Sequence, residues 1–228
     1  MSADPAGTYA FPEWLPLEPI SQGSTVIVAG PAFSNAEKLV EGMVAGGTRN
    51  GEGALMISTN ETCRKLLESL RRTAADLDRS RLGVIDCSGQ DIGSGGPEVQ
   101  VKYVSTQSDL TGIGMKFSAL YESLYGVATG GRVRTGLISL SSLSMYVDLR
   151  KLFQFAQTLS GRIDSADGLG AFTIDPTTHD TQTVNTLCQV ADGRIDIREP
   201  EDDADGELRV RGLAGQPSGW QPFSLPSE

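Results

Sequence analysis

The residues with the clearest claim to chemistry lie between positions 24 and 40. There a short β-branched run, Thr25-Val26-Ile27-Val28, breaks at Gly30-Pro31 and passes into helix-compatible sequence at Ala36-Glu37-Lys38-Leu39-Val40. A strand, a tight loop and a helix N-terminus in that order turn backbone amides toward an anion, above all a phosphate. A working phosphate loop reads G-x-x-x-x-G-K followed by Ser or Thr. Its glycines let the amides curl round the phosphates, its lysine reaches their outer oxygens, and its hydroxyl holds magnesium. Laid from Gly30, the second glycine falls on Asn35, the lysine on Ala36 and the hydroxyl residue on Glu37. Asn35 still tolerates a positive φ. Ala36 brings no charge, and Glu37 sets a carboxylate where phosphates would repel it. Lys38 is one place late, and sliding the register to use it leaves Leu39 at the hydroxyl position. The stretch therefore reads as a phosphate loop without its charges, or as a plain Gly-Pro turn after a strand.

Other side chains offer less. His179 is the only histidine, so a Ser-His-Asp arrangement has to use it, with Asp175 or Asp180 as the orienting carboxylate. It follows a core strand, at the edge where α/β sheets hold their ligands. The G-x-S-x-G signature of a hydrolase nucleophile occurs nowhere in the chain, and a loop or cap role is the expectation. The glycine-rich stretch 88–97 contains Asp91 and no basic residue, which suits a surface loop better than an anion cradle. Arg132, Arg134, Arg150 and Arg162 are read as surface arginines, or as a small basic face toward a partner's carboxylates. Cys63, Cys87 and Cys188 lie far apart without paired spacing. Neither a disulfide framework nor a metal site is expected of them, only reduced, buried thiols.

Composition narrows the classes. The 228 residues suit one domain of α/β size with a short arm at either end. No run approaches the roughly 18 to 20 apolar residues of a membrane span. The first twenty residues, with Pro5, Pro12, Pro16 and Pro19, have neither the basic start nor the apolar core of a signal peptide, so a cytoplasmic location is expected. The net charge is −10, and only Lys38, Lys65, Lys102, Lys116 and Lys151 among the basic residues are lysines. An acidic, lysine-poor surface resembles that of proteins from salt-accumulating organisms, where self-repulsion is screened. A nucleic-acid partner is disfavoured, because phosphate binding rests on clustered Lys and Arg.

The elements that must position these residues follow from periodicity. Residues 1–22 read as a Pro-rich arm lying across the domain or a neighbour, 23–215 as the domain, and 216–228 as a tail. After the first strand and helix come strands at 52–58, 81–86, 101–104, 132–140 and 170–174. Helices are expected at 61–72, 112–125, 147–159 and, capped by Asp180 or Thr181, up to about residue 190. Segments 194–198 and 208–211 alternate as half-exposed antiparallel edge strands do, with the acidic stretch 199–207 as the loop between them. Strands alternating with helices and closing in a hairpin describe a three-layer α/β fold, its central sheet mostly parallel with an antiparallel edge.

Several of these segments carry a more specific echo. They are Thr25-Val26-Ile27-Val28-Ala29-Gly30-Pro31, Leu55-Met56-Ile57-Ser58-Thr59-Asn60-Glu61-Thr62, Ser139-Leu140-Ser141-Ser142-Leu143-Ser144, Phe172-Thr173-Ile174-Asp175-Pro176, and Ala191-Asp192-Gly193-Arg194-Ile195-Asp196. In that order they resemble the single-domain RecA/KaiC-type ATPases of archaea, above all a divergent haloarchaeal branch, over residues 24–215. The resemblance implies a RecA-like P-loop fold, ATP held between subunits, and ring or filament assembly. It also locates the departures. The Walker B aspartate falls on Ile138, or on Ser139 if the register slips by one. The Glu-Glu pair that polarises the attacking water falls on Asn60 and Glu61. With Asn35, Ala36 and Glu37 in the loop, the resemblance implies a pseudo-ATPase without bound cofactor or metal. Such a protein would act as a regulatory or assembly partner through protein contacts, an active relative of the same superfamily being one partner and a further copy another. The rival is a divergent ATPase that holds ATP or ADP with magnesium through backbone amides, Lys38 and a neighbour's arginine. A DNA-recombination module is the weaker third reading.

Overall fold

The computed structural model describes residues 7–90, 98–200 and 203–226. In chain order it contains β1 (Thr8–Tyr9), β2 (Ile20–Ser21), β3 (Thr25–Ala29), α1 (Ala36–Ala45), β4 (Gly53–Ser58), α2 (Cys63–Thr73), β5 (Leu82–Asp86), β6 (Gln100–Tyr103) and α3 (Leu110–Val127). There follow β7 (Val133–Ile138), α4 (Leu140–Ser144), α5 (Leu149–Ser165), β8 (Leu169–Ile174), α6 (Thr181–Cys188), β9 (Gly193–Arg198), β10 (Gly206–Arg211) and β11 (Gln221–Phe223). Nine strands form one sheet in the order β11-β10-β9-β3-β8-β7-β4-β5-β6. From β9 to β6 every pair is parallel; β10 and β11 run antiparallel at one edge.

The apolar runs dictate this arrangement. Strands β3, β4, β5, β7 and β8 are buried along their whole length, as parallel strands covered on both faces must be. On one face α1 and α2 set Leu39, Val40, Met43 and Leu66 against Val26, Val28 and Met56. On the other, Phe117, Leu120, Leu152 and Leu159 pack on Ile27, Leu55, Leu137 and Phe172. Apart from α1, the helices start where short oxygen side chains take up free amides. Asp109, Asp148 and Asp180 accept from Gly112, Lys151 and Thr183 N–H at 2.8, 3.0 and 2.6 Å.

Three expectations change. The strand expected at 132–140 stops at Ile138; Ser139 caps α4, its hydroxyl accepting from Ser142 N–H at 3.3 Å. β9 is not an edge strand, because it lies between β3 and β10. Its alternation has another cause: Ile195 and Ile197 face the core, while Asp196 on the other face is 7% exposed and ringed by Arg194, Arg209 and Arg211. The edge itself is β11, from the segment read as a tail. Part of the glycine-rich stretch, 91–97, and residues 201–202 of the acidic loop lie outside the described residues.

Arg134 is the third change, since it is fully buried rather than at the surface. Its Nε pairs with Glu52, and its terminal nitrogens donate to Met43 O and Ala10 O, each at 2.8 Å. Arg132 Nε lies 2.9 Å from the other Glu52 oxygen, and its guanidinium sits 4.1 Å from the centre of the Tyr9 ring. Tyr9 in turn donates its hydroxyl to Asp167 O at 2.9 Å, and burial pushes its pKa up to about 12. The N-terminal segment is thereby fastened across its own chain, with Tyr9, Leu15 and Ile20 in the core. Trp14 covers the face of α1 at Gly42, where a Cβ would strike the indole ring.

Candidate functional site

Parallel strands deliver all their carboxyl ends to one side of the sheet, and that side is where ligands of α/β folds bind. Here the ends of β3, β7 and β8, with Asn60 and Glu61 beyond β4, enclose a cavity of about 610 Å³. Each residue singled out by the phosphate-loop comparison, apart from Ile138, lines it: Gly30, Asn35, Ala36, Glu37, Asn60, Glu61 and Ser139. Ile138 is buried at the end of β7, next to Ser58 of β4, and is joined to Ser139 by a cis peptide bond.

The loop is turned as the sequence suggests but is occupied by its own contacts. Gly30 N–H donates to Ile174 O at 3.1 Å, and a Cβ at this position would overlap Ser34 Oγ. Asn35 adopts the left-handed conformation, φ 62°, as the residue before α1, and its side-chain amide donates to Asp205 O at 2.9 Å. Ala32 N–H donates to the Asp175 carboxylate at 3.1 Å, and Ser34 N–H to Pro31 O at 3.1 Å. Besides that of Gly30, the amides of Ala32 and Ser34 are thus spent inside the protein rather than offered to an anion. Between them Phe33 holds φ 68° with its ring fully exposed. A bulky side chain in that region carries strain of about 1–3 kcal/mol.

The charges follow the same pattern. Glu37 accepts from the Asn60 amide at 3.0 Å, so the residues at the hydroxyl and first-glutamate positions bond to each other. Burial raises the Glu37 carboxyl above its ordinary range, and that hydrogen bond opposes the shift. Lys38 is turned to the interface of α1 and α2. Its Nζ lies 3.1 Å from Glu41 Oε1 and donates to Ser69 Oγ, while Glu41, 2% exposed, also accepts from Ser69 and Thr73. Sequence periodicity gave no sign of this network, which depends on side chains of α2 meeting a glutamate on the buried side of α1.

His179 also reaches the cavity, where its Nε2 shares a 2.9 Å hydrogen bond with Ser141 Oγ. The two aspartates weighed as its orienting partner are engaged elsewhere. Asp175 accepts from Thr177 N–H and Ala32 N–H, and Asp180 caps α6. Asp86, not singled out from sequence, is buried at the end of β5 and accepts from Cys63 and Ser88 N–H at 2.7 and 2.9 Å. The three cysteines are free; Cys63 and Cys87 are buried and Cys188 is half-buried. Among the described residues no helix is long and apolar enough to cross a membrane.

Comparison with known proteins bears on the fold. Residues 23–197 match the model of DUF7504, described as a family of unknown function. No curated protein matches the sequence. A KaiC-like protein of the hyperthermophilic archaeon Pyrococcus horikoshii has the same fold, with a TM-score of 0.63, 11% identity and 91% of each chain covered. An uncharacterized protein of the same organism, in complex with an unknown peptide, superimposes with a TM-score of 0.62 and 14% identity over 86% of each chain. The α/β fold with its parallel sheet and C-terminal antiparallel strands is KaiC-like.

Proposed function

We propose that this chain, which belongs to the DUF7504 family, is a KaiC-like protein with a degenerate nucleotide site that works through protein contacts. The observation that carries the reading is the Glu37–Asn60 hydrogen bond beside a lysine diverted to Glu41 and Ser69. Phosphoryl transfer rests on positioning and on charge stabilisation by the loop lysine and its metal. Here the loop presents a carboxylate, and the strand end that would steady magnesium presents Ile138 and Ser139. An active relative of the same superfamily is the proposed partner, since folds of this class pair side by side and an inactive subunit can complete a neighbour's interface. The peptide bound to the P. horikoshii relative is a precedent for polypeptide recognition on this fold.

A second reading, a divergent ATP-binding protein, draws on the left-handed turn at Asn35 and the cavity beneath it. Thermal melts in high salt, with and without millimolar Mg-ATP or Mg-ADP, separate the two. A ligand at about a hundred times its dissociation constant adds about 2.7 kcal/mol, worth roughly 5 to 10 °C for a chain of this size. The expected result is no shift in the native protein and a shift with Mg-ADP once A36K/E37S restores the cation and hydroxyl. A shift of several degrees in the native protein would move the ATP-binding reading to the front.

A further inference from the structure

The cavity at the carboxyl edge has the wrong charge for an anion and the right surroundings for an organic cation. Its volume of about 610 Å³ suits a small ligand or one long side chain with its flanks. Glu37, Glu61 and Asp175 line it, and the one lysine in the lining, Lys38, has its charge committed to Glu41. Two hydroxyls of the lining residues, Ser34 Oγ and Thr173 Oγ1, have no hydrogen-bond partner although the residues are only 4% and 3% exposed. Buried hydroxyls are normally paired, and each of these two can still donate or accept a hydrogen bond. Ser34 Oγ lies against Gly30, on the floor of the loop.

The mouth of the cavity is apolar. Phe33 and Met145 both line it, and both are exposed, Phe33 completely so and in a strained backbone conformation. Strain held at an exposed aromatic is what a binding contact explains. Among the described residues no three His, Cys, Asp or Glu converge as ligands for a metal ion. The acceptors are instead spread round the wall, an arrangement that serves a cation with several N–H groups on an apolar stem.

We propose that this cavity takes a guanidinium or alkylammonium head, the arginine or lysine side chain of a partner protein, with Phe33 and Met145 covering the stem. The inference rests on the protein-contact reading of this same site and names what the partner presents there. A ring such as that of Phe33 also attracts a cation held over its face.

His179 lines the cavity and is the only histidine, so its ring protons report on the site in an NMR titration. The probes are agmatine, a capped Leu-Arg-Leu tripeptide and its citrulline twin, at fixed ionic strength. The expected result is a saturable shift with the arginine tripeptide, a weaker one with agmatine and none with citrulline. The variant E37Q/E61Q should weaken the tripeptide about tenfold, while E68Q/E122Q, equal in net charge but outside the cavity lining, changes it less than about twofold. F33A/M145A alters two exposed positions that folding does not need, and should weaken the tripeptide while sparing agmatine. No saturable shift with the tripeptide, or equal weakening by both charge variants, overturns the site. Agmatine binding as tightly as the tripeptide overturns the side-chain source in favour of a free amine. Saturation by Mg-ADP would sink the protein-contact reading as well, whereas silence from every probe would sink this inference alone.

Discussion

Glu52→Gln tests how the N-terminal segment is fastened to the sheet. Glu52 is the carboxylate for both Arg132 and Arg134. Arg132 is about a quarter exposed and can turn to water when its partner is lost, but Arg134 is fully buried and keeps the carbonyls of Met43 and Ala10 and the ring faces of Tyr9 and Phe11, none of them a counter-charge. The loss therefore falls on one uncompensated buried charge, a defect worth about 3–5 kcal/mol. An exposed pair such as Arg49–Asp76 is worth no more than about 1 kcal/mol, and D76N serves as the control. Urea denaturation should show the midpoint falling with the slope unchanged, and the melting temperature dropping by roughly 6 to 20 °C. Arg134→Met removes the charge and keeps the stem, so E52Q/R134M should recover part of the loss, with a coupling of about 1–3 kcal/mol. A cost for E52Q below about 1 kcal/mol, or simple additivity in the cycle, would refute the account.

Two further outcomes follow from groups buried elsewhere. Burial lifts the Glu41 carboxyl above its ordinary value of 4.5, with Lys38, Ser69 and Thr73 opposing. The folded state then holds that proton more tightly than the unfolded chain, so the stability it contributes is complete below 4.5 and is lost as pH rises through the raised pKa. E41Q removes this slope, and its melting temperature relative to the native protein should climb as pH rises; a flat difference would show that Glu41 does not titrate in this window. Burial also pushes the Cys63 and Cys87 thiols up to about 11 and about 12. A thiol-disulfide reagent at neutral pH should modify half-buried Cys188 first and the other two only on unfolding. Equal rates at all three positions would contradict the packing described for α2 and β5.

What could be seen in the sequence was whatever is encoded by neighbours along the chain. The continuous Val/Ile runs of β3 and β4 announce buried parallel strands, Leu66, Leu67 and Leu70 mark the packed face of α2, and Asp180 shows its cap. The turn at Gly30 and Asn35 was legible for the same reason. What stayed hidden depends on residues far apart in sequence. Arg134 reads as a surface residue until Glu52, on the neighbouring strand's approach, supplies its counter-charge. The polar side of β9 reads as solvent-facing because periodicity cannot tell water from a ring of arginines around Asp196. At the site, Ala36 and Glu37 could be placed by alignment to a motif, but the Glu37–Asn60 bond and the withdrawal of Lys38 toward Ser69 need α1, β4 and α2 already assembled.

The position of β3 has a consequence for the order in which the molecule can be made. The first strand of the nine-stranded sheet in chain order pairs with β8 on one side and β9 on the other, Thr25 meeting Gly170 and Val26 meeting Gly193. During translation β4, β5 and β6 can pair while β3, apolar on both faces, still lacks both neighbours. Contacts of such separation form late and slow folding, and an unpaired apolar strand is a seed for aggregation while it waits. A nascent chain stalled before β8 should therefore expose β3 to holding chaperones, and its release should coincide with synthesis of β8 and β9.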